Sequence, residues 1–142
     1  MKEDPVTLDF LTNEQQMARF NQSQKLEDVD VTKYDAIVFA GGNGAIFDLP
    51  NNPTVAKVVT AFLDHSSKKV ATLCHGTAAL VGVTLQGQPL VKGLEVTGFD
   101  NEEEAISYEK IKADYLPFYL EDALKKEGAL FRNGPPFQPF CV

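Results

Sequence analysis

Residues 69–80 read Lys-Val-Ala-Thr-Leu-Cys-His-Gly-Thr-Ala-Ala-Leu, and this stretch is the strongest guide to the fold class. A short, β-prone apolar run ends in Cys74, His75 follows directly, and Gly76 opens a run of small residues typical of a helix start. A sharp strand-to-helix turn of this kind presents a nucleophile at the carboxyl edge of a parallel sheet. The stretch therefore predicts an α/β fold with a cysteine at its reactive edge.

Strand and helix patterns alternate along the rest of the chain. Strands are predicted over 34–40, 69–73, 94–97 and 129–131. Helices are predicted over 13–20, 53–64, from the turn at Cys74 to Val81, from Asp100 or Asn101 onward, and from Pro117 to near Gly128. Because such strands are joined by right-handed crossovers, the alternation indicates an α/β sheet that is mostly parallel.

Two of these helices carry clear start signals. Thr12 is predicted to cap the helix over 13–20, and Pro53 suits the first turn of the helix over 53–64. The apolar stripe of the second helix consists of Val55, Val58, Val59 and Phe62.

Size and charge set limits on the function. The chain has 142 residues, which we interpret as one domain over 1–142, and its 13 basic and 20 acidic residues give a net charge of −7. Nucleic acids and anionic membranes select basic surfaces, so neither is an expected partner. The amino terminus lacks the apolar core of a signal peptide, and no apolar run approaches membrane-spanning length. We therefore expect a cytoplasmic protein.

The two cysteines, Cys74 and Cys141, form neither a disulfide framework nor a metal-ligand spacing. No metal or other cofactor is expected. A thiol becomes nucleophilic when a helix amino terminus or a nearby cation stabilises its thiolate. Cys74 is expected to have both, from the helix that begins at Gly76 and from His75. The alternative is that Cys74 is a small, buried, inert cysteine at a strand end. Residue spacing alone does not decide between a nucleophile and this structural role.

Glycines and acids supply candidate partners for Cys74. Gly41, Gly42 and Gly44 follow the preceding strand, where their amides can face an oxyanion, although at least one is expected to serve a tight turn. An acid is needed to orient His75, and the candidates are Glu102, Glu103 and Glu104, which otherwise favour a solvated helix start. His65 and Cys141 are interpreted as bystanders.

The chain resembles the DJ-1/PfpI superfamily, and within it the heat-shock-protein-31-like and glyoxalase III branch. The segments that carry the resemblance are 28–48 (Asp-Val-Asp-Val-Thr-Lys-Tyr-Asp-Ala-Ile-Val-Phe-Ala-Gly-Gly-Asn-Gly-Ala-Ile-Phe-Asp), 71–76, 89–93, 96–99 (Val-Thr-Gly-Phe) and 134–139 (Gly-Pro-Pro-Phe-Gln-Pro). They occur in the order expected and span nearly the whole chain, so the combination is specific although each motif alone is weak.

The resemblance implies a flavodoxin-like, three-layer α/β/α sandwich and a Cys-His-Glu/Asp site. By position, Cys74 is the nucleophile, His75 its partner and Glu104 the acid. Gly42 matches the loop glycine whose amide faces the nucleophile, and the loop and oxyanion glycines are Gly41, Gly42 and Gly76. A histidine is frequent in this branch where Asn43 stands, which argues against a metal site.

Two segments of the branch have no counterpart here. One is the first, central strand with a helix and a further active-site glutamate, and the other is a closing strand and helix. The chain is thus expected to be a partial domain with an exposed sheet edge, and a homodimer or another self-association is expected to cover that edge.

The resemblance implies a glutathione-independent glyoxalase III activity that converts a small 2-oxoaldehyde substrate, such as methylglyoxal, into a 2-hydroxy acid. Redox-sensing or chaperone-like stress proteins, a related hydrolase or amidase, and an inactive remnant are the alternatives.

Overall fold

The computed structural model describes residues 4–111 and 116–142, which form a mixed α/β fold with parallel strands. The helices are α1 (Pro5–Thr12), α2 (Glu14–Asn21), α3 (Ala45–Asp48), α4 (Pro53–Leu63), α5 (Asn101–Ile111) and α6 (Leu120–Lys126). The strands are β1 (Ala36–Phe39), β2 (Lys69–Thr72), β3 (Thr84–Leu85), β4 (Gln88–Pro89), β5 (Glu95–Val96) and β6 (Leu130–Phe131). Short 3-10 helices cover Leu26–Asp28, Val31–Lys33 and Cys74–Leu80, and we call the last one the elbow helix. The domain predicted over 1–142 includes 1–3 and 112–115, which lie outside the described residues.

The parallel pair β1–β2 positions the reactive edge. All four residues of β1 pair in register with the four of β2, and Leu73 N–H extends the ladder by donating to Phe39 O at 3.1 Å. Both strands lie within the apolar runs from which the sequence predicted them. Because the strands are parallel, the Gly41–Gly44 loop and the elbow helix start from the same edge.

Two smaller sheets complete the strand set of the described residues. β5 and β6 are parallel, with Glu95 opposite Leu130. β3 and β4 form an antiparallel hairpin whose turn residues, Gln86 and Gly87, have φ of 51° and 77°. Two consecutive positive φ angles are typical of a type I′ turn. This hairpin was not predicted from the sequence.

The described strands form three separate two-stranded sheets rather than one mostly parallel sheet. Parallel pairing is present, but within residues 4–111 and 116–142 no strand joins β2 to β5. Both strands instead border a groove of about 990 Å³. Within the described residues, no segment pairs with the second edge of either strand, so the two parallel pairs stay separate.

Helix α4 packs as predicted from its stripe. Val55, Val58, Val59 and Phe62 are all buried. Burying an aliphatic or aromatic side chain of this size contributes about 1.5–3 kcal/mol relative to leaving it exposed. Asn52 caps the helix, since its side-chain oxygen accepts from the backbone N–H groups of Thr54 and Val55. This cap was not predicted, whereas Pro53 in the first turn was.

The elbow helix lies between the two apolar clusters of the core. Ala79 packs with α4 and β1 in one cluster, and Ala78 packs with Ile46 and α6 in the other. The predicted helix after Cys74 is thus a 3-10 helix that begins at the cysteine itself. Small residues allow this close approach, which fixes the reactive edge from both sides.

The amino-terminal helices α1 and α2 contain no buried residue. The predicted cap at Thr12 is wrong: Asn13 caps α2 by accepting from Gln16 N–H at 3.0 Å. Thr12 ends α1, which was not predicted, and its hydroxyl donates to Leu8 O at 2.8 Å. Because that hydroxyl is occupied by its own helix, the next side chain takes the capping position.

One face of the β1–β2 pair is uncovered in this structure. Val38 is 65% exposed and Leu73, two residues beyond the partner of Val38, is 64% exposed.

No helix among the described residues is both long and apolar enough to cross a lipid bilayer.

Candidate active site

The backbone is strained at Cys74, where β2 turns into the elbow helix. Its φ is +56°, a backbone conformation that residues other than glycine rarely adopt and that costs about 1–3 kcal/mol. The turn is closed by Gly76 N–H donating to Leu73 O at 2.8 Å. The thiol is thereby lifted out of the strand direction at the carboxyl edge of β2, which is the geometry of a nucleophile elbow.

Two glycines let the β1 edge pack against this turn. A β-carbon on Gly76 would lie 2.3 Å from Phe39 O, and one on Gly41 would lie 2.7 Å from the Cys74 β-carbon. Neither position has room for a side chain. Gly42, with φ of +107°, takes the tight-turn conformation expected of one loop glycine. Its backbone amide contributes to lowering the pKa of the Cys74 thiol.

The imidazole of His75 reaches the thiol of its neighbour. Cys74 Sγ and His75 Nδ1 are 3.7 Å apart, although adjacent side chains diverge in regular structure. The positive φ at Cys74 makes the approach possible. The ring of His75 is 1% exposed, so its polar atoms depend on protein partners.

Glu104 supplies the second partner of His75. Its Oε1 is hydrogen-bonded to His75 Nε2, and the carboxylate is 3% exposed. A proton on Nε2 is donated to the carboxylate, which leaves Nδ1 to exchange a proton with the thiol. Cys74, His75 and Glu104 therefore form one hydrogen-bonded series, from sulfur through imidazole to carboxylate.

The three consecutive acids have three different environments. Glu102 is exposed, and Glu104 contacts His75. Glu103 forms a reciprocal capping pair with Asp100: Glu103 N–H donates to Asp100 Oδ1 at 2.8 Å, and Asp100 N–H donates to Glu103 Oε2 at 3.3 Å. The capping pair fixes the start of α5 and with it the position of Glu104.

Burial and hydrogen bonding act in opposite directions on the pKa of the Cys74 thiol. Burial raises it, but the hydrogen bond to His75, the backbone amides of His75 and Gly42, and the charge of His75 together lower the pKa below that of an ordinary cysteine. Burial lowers the pKa of His75, while hydrogen bonds to Cys74 and Glu104 and the two negative charges raise it overall. Both shifts favour a thiolate–imidazolium pair.

An aromatic ring packs against the imidazole of His75. The Phe99 ring lies 4.5 Å from the imidazole of His75, at an interplanar angle of 36°. Phe137 lies 6.1 Å beyond Phe99, and its backbone N–H donates to Glu103 Oε1 at 2.7 Å. The proline-rich segment after β6 is thus attached to the start of α5. Neither ring was predicted to belong to the site, and the contact between Phe137 and Glu103 was not predicted either.

The groove between β2 and β5 gives access to Cys74. Residues on its walls include Leu73, Cys74, Thr97, Phe99 and Pro135. Cys74 is half-buried, while Cys141 borders the same groove and is exposed. His65 is exposed and belongs to the turn after α4, away from the series. Within the described residues, no group of three or more His, Cys, Asp or Glu side chains has the arrangement of a metal site.

Comparisons with known proteins identify the family to which this sequence is similar. Residues 11–116 match the sequence profile of the DJ-1/PfpI family. Glyoxalase 3 of Candida albicans is 30% identical over 132 residues, which cover 91% of this chain and 55% of that protein. A glutamine amidotransferase-like class 1 domain-containing protein of Bos taurus is 31% identical, covering 92% of this chain and 62% of its own length.

A solved structure gives the same result. The Rapid Encystment Protein 24 kDa of Francisella tularensis superposes with a TM-score of 0.88 at 36% identity, over 98% of this chain and 60% of its own. Glyoxalases and a deglycase are distant relatives at 30–32% identity. The chain spans roughly half to three-fifths of the length of the relatives it matches.

Proposed function

The chain belongs to the DJ-1/PfpI family, and from that premise we propose that it is a glutathione-independent glyoxalase of the glyoxalase III type. The substrate is a small 2-oxoaldehyde such as methylglyoxal, and the product is the corresponding 2-hydroxy acid. The observation that carries the proposal is the series from Cys74 Sγ through the His75 imidazole to Glu104 Oε1. Its relatives include named glyoxalases.

The first step is addition of the thiolate to the aldehyde carbon. The Cys74 sulfur forms the new bond, and the π electrons of the carbonyl move to its oxygen. The backbone amide of Gly42, which helps to lower the pKa of the thiol, is the proposed donor to that oxygen. The His75 imidazolium gives the oxygen a proton, which yields a neutral hemithioacetal.

The second step is a proton transfer between adjacent carbons. His75, now neutral, removes the hydrogen from the carbon bound to sulfur, and the electron pair forms an enediol with the neighbouring carbonyl. The same imidazole returns a proton to that neighbouring carbon, and the proton of the hemithioacetal hydroxyl passes to the neighbouring oxygen, so the product is the thioester of a 2-hydroxy acid. Glu104 holds the imidazole in place and stabilises its charged form during both transfers.

The last step is hydrolysis. Water adds to the thioester carbon as His75 takes one of its protons, and Cys74 leaves as a thiolate, which restores the thiolate–imidazolium pair and releases the 2-hydroxy acid. The overall reaction joins one water to one 2-oxoaldehyde. It requires no external oxidant or reductant, since one carbon is oxidised as its neighbour is reduced.

The test is lactate formation from methylglyoxal in D₂O, followed by proton NMR. We expect lactate with deuterium at the carbon that bears the hydroxyl, because a proton carried by His75 exchanges with solvent. Cys74→Ala should form none above the uncatalysed rate. Lactate without deuterium would mean that the transferred proton does not exchange with solvent during turnover, and folded wild-type protein that forms no lactate would refute the proposal.

A redox-sensing role is the second candidate, and the partial exposure of a low-pKa thiol favours it. Thiolates that solvent reaches are oxidised to sulfenic and sulfinic acids. Treatment with hydrogen peroxide should then add oxygen to Cys74 before Cys141, as read by peptide mass spectrometry. Equal oxidation of the two cysteines would contradict this role.

Self-association also remains a proposal. The uncovered face at Val38 and Leu73 is an apolar surface of the kind that chaperones and subunit interfaces use. Sedimentation of wild type and Val38→Ser separates the outcomes. A wild-type dimer that Val38→Ser weakens supports an interface between copies, and a monomer at every concentration argues against one.

A further inference from the structure

We infer that Thr77 is a positioning residue for the Cys74–His75–Glu104 series, because its hydroxyl joins the carboxyl ends of β2 and β5. The effect of Thr77 on turnover depends on the function proposed above. Its effect on the geometry and reactivity of Cys74 does not.

The series spans two parts of the fold that share no strand pairing. Cys74 and His75 lie in the elbow helix after β2, whereas Glu104 lies in α5 after β5. Among the described strands, β2 pairs only with β1, and β5 pairs only with β6. A contact other than a strand ladder must therefore set the distance between His75 and Glu104.

Thr77 occupies the position between these two parts. Its side chain is fully buried, and its Oγ1 lies 3.0 Å from Thr72 Oγ1 and 3.1 Å from the carbonyl oxygen of Thr97. A hydroxyl donates one proton and accepts others, so Thr77 donates to the Thr97 carbonyl and accepts from Thr72. One side chain thus bonds the last residue of β2 and the residue that follows β5.

The segment after Thr97 is packed against the same turn. A β-carbon on Gly98 would lie 3.1 Å from Thr77 Oγ1 and 3.3 Å from the carbonyl oxygen of Cys74. Phe99, next along the chain, lies against the imidazole of His75. Displacement of Thr97 away from the elbow helix would therefore move Phe99 as well.

The connection from Thr97 to Glu104 is short and hydrogen-bonded. Asp100 and Glu103 cap α5 reciprocally, and Glu104 N–H donates to Asp100 O at 2.9 Å. Glu104 therefore moves with the segment that Thr77 holds. Loss of the Thr77 hydroxyl should let the carboxylate withdraw from His75.

Withdrawal of Glu104 has a predictable effect on the thiol. Without the carboxylate, His75 holds its proton less well, and the smaller imidazolium population stabilises the Cys74 thiolate less. The side-chain carboxylates that border the groove next to Cys74 are Asp100, Glu103 and Glu95. Asp100 and Glu103 accept from backbone N–H groups, and Glu95 is paired with Arg132 at 2.8 Å. Because all three have partners of their own, the expected change comes through Glu104.

The experiment measures iodoacetamide alkylation of Cys74 against pH, with peptide mass spectrometry to separate it from Cys141. We expect Thr77→Val to move the midpoint upward by about 0.5–1 pH unit and to lower kcat by about tenfold with little change in KM. Thr77→Ser keeps the hydroxyl and should restore both values. Thr60→Val is the matched control, since the Thr60 hydroxyl bonds only carbonyls of its own helix, and it should leave the midpoint unchanged.

Thr77→Ala serves as a second variant, free of the steric demand of valine, should Thr77→Val not fold. An unchanged midpoint in a folded Thr77→Val or Thr77→Ala protein would overturn the inference, and so would Thr77→Ser behaving like Thr77→Val. If wild type forms no lactate while the midpoint still moves, the proposed activity fails and the positioning role of Thr77 stands.

Discussion

The elbow helix and the amino-terminal helices are stabilised in opposite ways. The elbow combines a strained cysteine, a histidine that is 1% exposed and a carboxylate 29 residues further along the chain. Helices α1 and α2 bury no residue; side-chain caps and an edge-to-face contact between Phe10 and Phe20 join them locally. Strain and burial thus coincide where reactive groups meet, whereas local contacts stabilise α1 and α2.

The contrast between these two regions indicates where substitutions should matter. At the elbow, each group depends on a partner from another element, so one change should affect the chemistry of the others. At α1 and α2, a change should stay within one or two turns of helix. Four substitutions test this contrast, and the one with the greatest expected effect comes first.

The largest effect is expected for Cys74→Ser. Serine keeps the shape but is not ionised at neutral pH, so turnover of methylglyoxal should fall by about 10³-fold or more. Lactate production measures the loss. Cys141→Ser is the matched control for labelling, and iodoacetamide should still modify Cys74 in that variant. Retention of a tenth of the wild-type rate in Cys74→Ser would contradict a covalent role.

Glu104→Gln should lower kcat by about 10²-fold, because His75 loses the negative charge that stabilises its imidazolium. Glu102→Gln is the matched control: it removes the same charge from the same helical turn at an exposed position. The ratio of the two kcat values isolates the contact with His75 from the general loss of negative charge. Equal rates in the two variants would contradict the assignment of Glu104.

Gly76→Ala should destabilise the fold by about 1–3 kcal/mol, since the new methyl group collides with Phe39 O. Gly44→Ala is the control. Gly44 has φ of −60° and no atom within 4 Å of the position that a methyl group would take, so alanine should be neutral or slightly stabilising there. Urea unfolding measures both, and a Gly76→Ala protein as stable as Gly44→Ala would contradict the close packing described for the elbow.

Asn13→Ala should have the smallest effect. It removes the cap of α2 and should weaken that helix by about 1 kcal/mol, seen as faster amide hydrogen exchange at residues 16–20. Alkylation of Cys74 should not change. An effect of Asn13→Ala on Cys74 would show that the amino-terminal helices are coupled to the elbow, against the contrast drawn above.

Local patterns predicted the elements whose apolar residues are regularly spaced. The strands at β1 and β2 and the buried stripe of α4 follow from apolar runs and helical spacing. The cap of α2 was predicted one residue too early, because a hydroxyl that bonds its own helix is not visible in the sequence. The sequence likewise did not predict α1 or the β3–β4 hairpin.

The residues of the candidate site also fall into some that the sequence pattern indicated and others that it did not. Residue spacing singled out Cys74 and His75, but it left Glu102, Glu103 and Glu104 open, and only family resemblance favoured Glu104. Thr77 was not considered, because its partner Thr97 is 20 residues away. Contacts between separate elements, which hold the site together, were the part that the sequence could not show.

The coupled series is tested most directly by the pH dependence of Cys74 alkylation in wild type and Glu104→Gln. In wild type, the lowered pKa of the thiol should place the midpoint below the value of about 8.5 for an unperturbed cysteine. In Glu104→Gln, the pKa of His75 should fall and that of Cys74 should rise, so the midpoint moves upward, while Glu102→Gln stays with wild type. A wild-type midpoint at or above about 8.5 that Glu104→Gln leaves unchanged would refute the coupling of Cys74, His75 and Glu104.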